Sequence, residues 1–211
     1  MIKNSKSSLR AQILRAARKL LINEGSQNIS MRKIAGEIGC KAPSIYYHFK
    51  NKDQLIHELI DEGFEKQFEA LSAAQESLHS GVSPLDKLDC HMRAFVRFGI
   101  ENPELYEVMY LMHSEEMTNF PRERTRRTRQ SLELFASLYQ EAFSAKLVSE
   151  ENPELTATSI DISLNGFVTM VLMNRLDIRF DEDTLLEDVI SRCLRSMGAV
   201  RESNEALLAT T

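Results

Sequence analysis

The 211-residue chain has no tryptophan, only three cysteines, five prolines and eight glycines. With so little proline and glycine and no low-complexity tract, a collagen-like or broadly disordered chain is excluded; disorder is expected only at the ends. Cys40, Cys90 and Cys193 are odd in number and far apart. That speaks for reduced thiols and against a disulfide framework, and no CxxC pair suggests zinc. No apolar run approaches the length of a membrane span, and no apolar h-region follows the basic, polar start MIKNSKSSLR. A cytoplasmic protein is expected. Hydrophobic residues make up 43% of the chain and charged residues 27%, enough to bury a sizeable core.

Acidic residues are scarce at one end only. Residues 1–52 carry eleven Lys/Arg and two acids, Glu24 and Glu37, a net charge of +9. Residues 53–211 carry 15 bases and 29 acids, a net −14. The overall −5 therefore hides a basic head on an acidic body, a pattern that suits a polyanion partner for the head or a merely solvated basic surface. Also missing are GxSxG, P-loop and dinucleotide fingerprints; HSEEM at 113–117 lacks the HExxH order of zinc hydrolases. No enzyme, catalytic residue, metal ligand or cofactor is expected.

What is present is helical punctuation. Leu9, Ile13, Ala16, Ala17 and Leu20 share one face, and Gly25 offers a stop. Ser30 reads as the N-cap of a helix buried through Met31, Ile34, Ala35 and Ile38, ended by Gly39. A third helix is expected from about Ala42 to Phe49, with Pro43 in its first turn. Asn51 caps a fourth, with Gln54 at the capping-box position. Further starts fall at Ser83-Pro84, Asn102-Pro103, near Pro121, at Asn152-Pro153 and at Asp181. ENPEL occurs twice, at 101 and 151, each copy reading as cap, N1 proline and first-turn acid rather than as an internal repeat. The expectation is an all-α chain of about nine helices: a helix-turn-helix head over residues 1–52, continuing into helix four to about 62, and a helical body over 53–211.

The run YYHF at 46–49 is crowded for a buried face, because consecutive helical positions point in different directions. In a helix-turn-helix, the third helix enters the DNA major groove. Ile45 and Phe49, four apart, then face inward, while Tyr47 and His48 point outward, where phenol and imidazole can donate to phosphate. Tyr46 stands between half-buried scaffold and DNA contact. Lys52, opening helix four, places its ammonium beside free backbone N–H groups, and Arg32 can reach a base edge or phosphate. Lys41, Ala42, Pro43 and Ser44 lead the recognition helix, whose N-terminal residues meet base edges. Cys40 reads either as a redox-sensing thiol near lysines or as a small buried apolar residue.

The stretch AARKLLINEGSQNISMRKIAGEIGCKAPSIYYHFKNKDQL resembles the TetR/AcrR family of bacterial transcriptional regulators, over about residues 8–62. The resemblance implies an all-helical homodimer with heads that bind a palindromic DNA operator and a body that takes a small inducer. Carried over by position, it implies DNA contacts at Ser30, Arg32, Lys41, Ala42, Pro43, Ser44, Tyr46, Tyr47, His48 and Lys52. Cys40-Lys41 and Pro43-Ser44 depart from the Val-Ser and Gly-Thr that many relatives have, so no relative's operator transfers; Lys41 is also a weaker N-cap than serine. In the body, Phe64, Phe68, Phe95, Phe98, Tyr106 and Met109 are candidate pocket residues, with Tyr110, Met112, His113, Phe135, Tyr139 and Asn165; the alternative for each is ordinary core. An apolar or amphipathic ligand is expected, fatty-acyl ligands included, and the body's net acidity favours a neutral or cationic one. PRERTRRTRQ at 121–130 reads as a solvated basic helix start, or as a second anion contact. Small and apolar residues mix over 152–176, and the family pattern implies a dimer through Ile160, Leu164, Phe167, Val171, Leu185, Val189, Cys193 and Met197. Three functions stay open: a ligand-released repressor, an activator or regulator controlled by a protein partner, and a helical ligand-binding protein that does not read DNA.

Overall fold

The computed structural model of the protein describes residues 8–25, 28–111, 125–149 and 152–199. Among them all regular structure is helical: α1 (Leu9–Glu24), α2 (Met31–Glu37), α3 (Ala42–Tyr46), α4 (Lys52–Glu76), α5 (Pro84–Glu101), α6 (Pro103–Tyr106), α7 (Thr125–Ser144), α8 (Pro153–Leu172) and α9 (Glu182–Ser196). The expected all-α class and helix count hold among these residues. Met112, His113, the HSEEM stretch and Pro121 lie outside them, as does most of the basic cluster's side-chain detail. Compactness divides the chain into two units, Met1–Lys66 with Asn102–Thr128, and Gln67–Glu101 with Arg129–Thr211. α4 contributes to both units.

In the first unit, α1, α2 and α3 close on Ile13, Ala17, Leu21, Ile34, Ile45 and Phe49, each at most 2% exposed. Leu21, not the expected Leu20, is the buried leucine of α1. The turn between α2 and α3 is a Schellman motif. Gly39 sits at φ +69° and donates its N–H to Gly36 O, and Cys40 N–H reaches back to Ala35 O at 2.9 Å. A side chain at Gly39 would be strained by that backbone angle alone. α3 is shorter than expected, ending at Tyr46, yet Phe49 N–H still bonds Ile45 O at 3.0 Å, so both side chains stay on one buried face. The helix expected to start at Asn102-Pro103 is not regular: α6 passes into a π-helical turn, Glu107–Leu111. Gly63 of α4 lies against Met109 of that turn, whose Cγ and Sδ would stand 2.5 Å from any added Cβ. The two ENPEL copies differ as well: Asn152 accepts from Leu155 N–H as a cap, whereas Asn102 makes no capping bond.

In the second unit α5 and α9 pack against α8, and α7 completes the core. Leu88, Met92, Phe95 and Val96 of α5 meet a core of Phe135, Tyr139, Ile160, Leu164, Val168 and Leu194. Arg93 bridges Asp89 on its own helix and Glu187 on α9, and Lys87 reaches Glu141 of α7 at 2.6 Å. Burial raises the thiol pKa of Cys193. α8 corrects one expectation: it is 20 residues long and an 18-residue window of it reaches a mean hydropathy of 1.3, enough by length and composition to cross a membrane. The reason is that it is apolar on two sides. Ile160, Leu164, Phe167 and Val168 are buried in the unit, while Leu155, Ile162, Met170 and Met173 are exposed.

Phe49→Ala removes a fully buried ring from the small head core and should destabilise the protein by about 3–5 kcal/mol. Urea unfolding followed by circular dichroism checks this, with Tyr47→Ala as the surface control expected within about 0.5 kcal/mol of the parent.

Candidate nucleic-acid interface and ligand site

The head's outer surface follows from its core. With Ile45 and Phe49 turned inward, Tyr46 is 54% and Tyr47 87% exposed. Tyr46 is therefore not scaffold in the protomer. His48 is half-buried and stacks edge-on against Tyr47, ring centroids 5.2 Å apart. That contact holds two hydrogen-bonding rings side by side at the end of α3. Phe49 is covered in part by the Arg10 guanidinium, 5.4 Å from its centroid.

Ser30 Oγ accepts from Lys33 N–H at 3.2 Å, so its hydroxyl starts α2. Arg32, one step inside that helix, is exposed, as are Lys41 and Pro43 before and in α3; Ala42 and Ser44 are half-buried. Lys41 makes no side-chain cap, as its residue type implies. Asn51 Oδ1 accepts from Gln54 N–H at 2.8 Å, and Gln54 Oε1 accepts in return from Lys50 N–H at 2.8 Å. This reciprocal cap fixes the start of α4 and with it the half-buried Lys52. The only two acids among residues 1–52 are both paired, Glu24 with Lys33 and Glu37 with Lys19. No acid of that segment thus opposes a phosphate at Arg32, Lys41 or Lys50, which are exposed. Behind the surface, Arg18 and Lys66 both hold Glu62, at 2.9 and 2.7 Å. Burial pushes the Glu62 carboxyl upward, but the two cations outweigh it and the net pKa is lowered.

The aromatic residues expected in one pocket fall into two groups. Phe64, Tyr106, Met109 and Tyr110 belong to the first unit, with Tyr110 edge-on to Phe64 at 5.6 Å and tilted over Tyr106 at 4.8 Å. Phe68, Phe95, Phe98, Phe135, Tyr139 and Asn165 belong to the second, where only Phe95 and Phe135 among them line a small cavity. The cavity's polar lining is His91, Ser131 and Asp161. His91 is 3% exposed and packs edge-on against Phe135. Burial drops its pKa to about 4, so the ring is neutral near pH 7. Burial raises the Asp161 carboxyl to about 6, partly offset by the Asn165 side chain. Ser131 Oγ donates to Gln67 Oε1 at 3.4 Å.

Residues 13–59 match the family described as bacterial regulatory proteins of the tetR family, and residues 90–193 match a tetracyclin repressor-like C-terminal domain. The chain belongs to the TetR family. Its head is the helix-turn-helix domain of that family of regulatory proteins. Over 115 residues it is 27% identical to the HTH-type transcriptional repressor KstR2 of Mycolicibacterium smegmatis, a match that spans 54% of each chain. This chain thus spans about half the length of that curated relative. A tetR-family regulatory protein of Rhodococcus RHA1 shares the fold at TM-score 0.72 and 18% identity, covering 92% of this chain and 100% of that one. The fatty acid degradation regulator FadR of Bacillus halodurans shares it at TM-score 0.74 and 21% identity, covering 90% and 96%.

For the TetR-family body, sequence reading missed His91, Ser131 and Asp161. A signal existed for two of them. His91 precedes Phe95 by four residues on the apolar face of α5, and Asp161 interrupts the otherwise uncharged apolar stretch Ile160–Leu172. Of the residues expected at a dimer interface, Ile160, Leu164, Phe167, Cys193 and Met197 are already buried within the protomer; Val171, Leu185 and Val189 are half-buried. Their spacing marks the inward stripes of α8 and α9, although Ile160, Val189 and Cys193 also line a surface groove between these helices.

The head geometry predicts a split among variants. Tyr47→Ala and Lys52→Ala should weaken binding to all duplexes, and Lys52→Ala, which removes a cation, should also lower the salt slope by about 1, whereas Arg32→Ala and Ser44→Ala should relax sequence preference; titrations at several salt concentrations on matched and scrambled duplexes separate the two. The half-buried Asp161 carboxyl gives a pH test. A pKa raised from 3.8 to about 6 makes Asp161's contribution full at low pH and lost as pH rises through about 6. Asp161→Asn should therefore stabilise the fold at pH 8 by roughly 2–3 kcal/mol and change it little at pH 4. His91 has the opposite sign: its contribution is lost as pH falls from 6.5 toward about 4. Urea unfolding of both proteins at the two pH values checks the prediction.

Proposed function

We infer that this TetR-family regulator is a cytoplasmic homodimeric repressor. It binds a palindromic operator through α2, α3 and the first turn of α4, and is released by a small apolar or amphipathic ligand held in the body. The carrying observation is the exposure of Tyr46 and Tyr47 between a buried Ile45 and a buried Phe49, with half-buried His48 beside them and the exposed cations Arg32, Lys41 and Lys50 in the same head. That surface suits phosphate at Tyr47, His48 and Lys52, and base edges at Arg32 and at Lys41 through Ser44. Ser30 and Tyr46 complete the contacts, Ser30 mainly by starting α2. KstR2's own designation as a repressor favours the repressor sense.

The exposed side of α8 supports the dimer. Leu155, Ser159, Ile162, Gly166, Met170 and Met173 recur every three or four residues along it without a charge. Such a stripe is expensive to leave in water and small enough at Gly166 for a second helix to approach. Dimerisation sets two heads about 34–36 Å apart, one turn of DNA. Ligand acts by preferring a protomer shape that disfavours this spacing, and by linkage operator DNA weakens ligand to the same degree.

Mobility-shift titration on fragments flanking the protein's own gene should show salt-sensitive, sequence-specific binding by the dimer. Its absence on every fragment sinks the operator reading. Ile162→Glu with Met170→Glu should give monomers in sedimentation velocity and about a hundredfold loss of operator affinity, since a monomer reads a single half-site. Transcripts of the bound genes should rise on deletion; a fall would make the protein an activator.

A further inference from the structure

Two cavities in the second unit lie side by side between α7 and α8, sharing Leu132 and Ala157 as a common wall. The inner one is about 10 Å³, at the lower limit for a single water molecule. The outer one is about 280 Å³ and is edged by the exposed carboxylates Glu133 and Glu154, with Ala136 and Thr158. Among the described residues, the lining of both includes three carboxylates and no lysine or arginine. One further observation points to a ligand. His91 is 3% exposed, lines the inner cavity, and its Nδ1 has no hydrogen-bond partner. A buried polar atom left so costs stability that a ligand group can recover.

We propose that these joined cavities select an organic cation, an apolar body carrying a protonated amine. The apolar body fills the outer cavity and displaces Leu132. Its ammonium reaches Asp161, with His91 as a second polar partner. Glu133 and Glu154 attract the cation at the mouth. Among the described lining residues an acid anion of the same shape meets three carboxylates and no lysine or arginine, a repulsive arrangement in a site partly removed from water. The neutral imidazole adds no positive charge to offset them. This inference rests on the reading of the body as a ligand sensor and specifies the ligand's charge.

The test uses the full-length protein and three probes of equal chain length below their micelle concentrations: decylammonium, decanol and decanoate. Calorimetric titration should show decylammonium binding about tenfold or more tighter than decanoate, with decanol between them. Asp161→Asn should lower decylammonium affinity about tenfold while leaving decanol affinity unchanged. Glu133→Gln with Glu154→Gln, both exposed and so not needed for folding, should lower it about two- to threefold and decide the matter if Asp161→Asn does not fold. Decanoate binding as tightly as decylammonium overturns the proposal. So does an unchanged decylammonium affinity in both variants, and so does the absence of binding by all three probes. Selective amine binding that leaves the operator complex intact upholds the proposal and removes the release reading instead.

Discussion

The head of this regulator depends on one packing event, the burial of Ile45 and Phe49 against Ile13, Ala17 and Ile34. α3 has five residues and no side-chain cap, far too short to persist in water by itself. Its orientation is therefore set by the two side chains it buries and by the Gly39 turn that delivers it. Once these two point inward, the residues between them have no choice of direction. Tyr46 and Tyr47 face solvent because their neighbours do not. The reading surface is the complement of the core, residue by residue.

This is why the head was legible from sequence and the body less so. A motif with a glycine turn, a Ser cap and an Asn-x-x-Gln cap constrains the backbone within one or two residues, and each cap was found bonded as its chemistry requires, apart from Gln54 reaching Lys50 instead of Asn51. The length of α3 was not legible, since Phe49 keeps a helical bond beyond the helix's regular end. In the body, aromatic content suggested a single pocket, but aromatic residues fill cores and line cavities alike. The polar cavity residues were hidden for the opposite reason. A lone His or Asp gives no periodic signal, and only the fold brings His91 of α5, Ser131 of α7 and Asp161 of α8 to one place.

α8 shows how the same sequence signal misleads twice. An inward stripe and an outward stripe of apolar residues on one helix raise its hydropathy to membrane-like values. They also make it hard to tell from spacing which stripe belongs to the protomer. Burial resolves the second question: Ile160, Leu164 and Phe167 are inside, Ile162 and Met170 outside. The cost of that design is a carboxylate, Asp161, held half-buried between the stripes, with its pKa raised by the burial.

The brevity of α3 also bears on how genetics would see this protein. Because α3 has no existence apart from the core beneath it, a screen for lost operator binding, on the function proposed above, would return Ile13, Ile34 and Phe49 together with Tyr47 and Lys52. Mutational maps of such a head outline two nested shells, and only a stability measurement beside the binding measurement tells the inner from the outer.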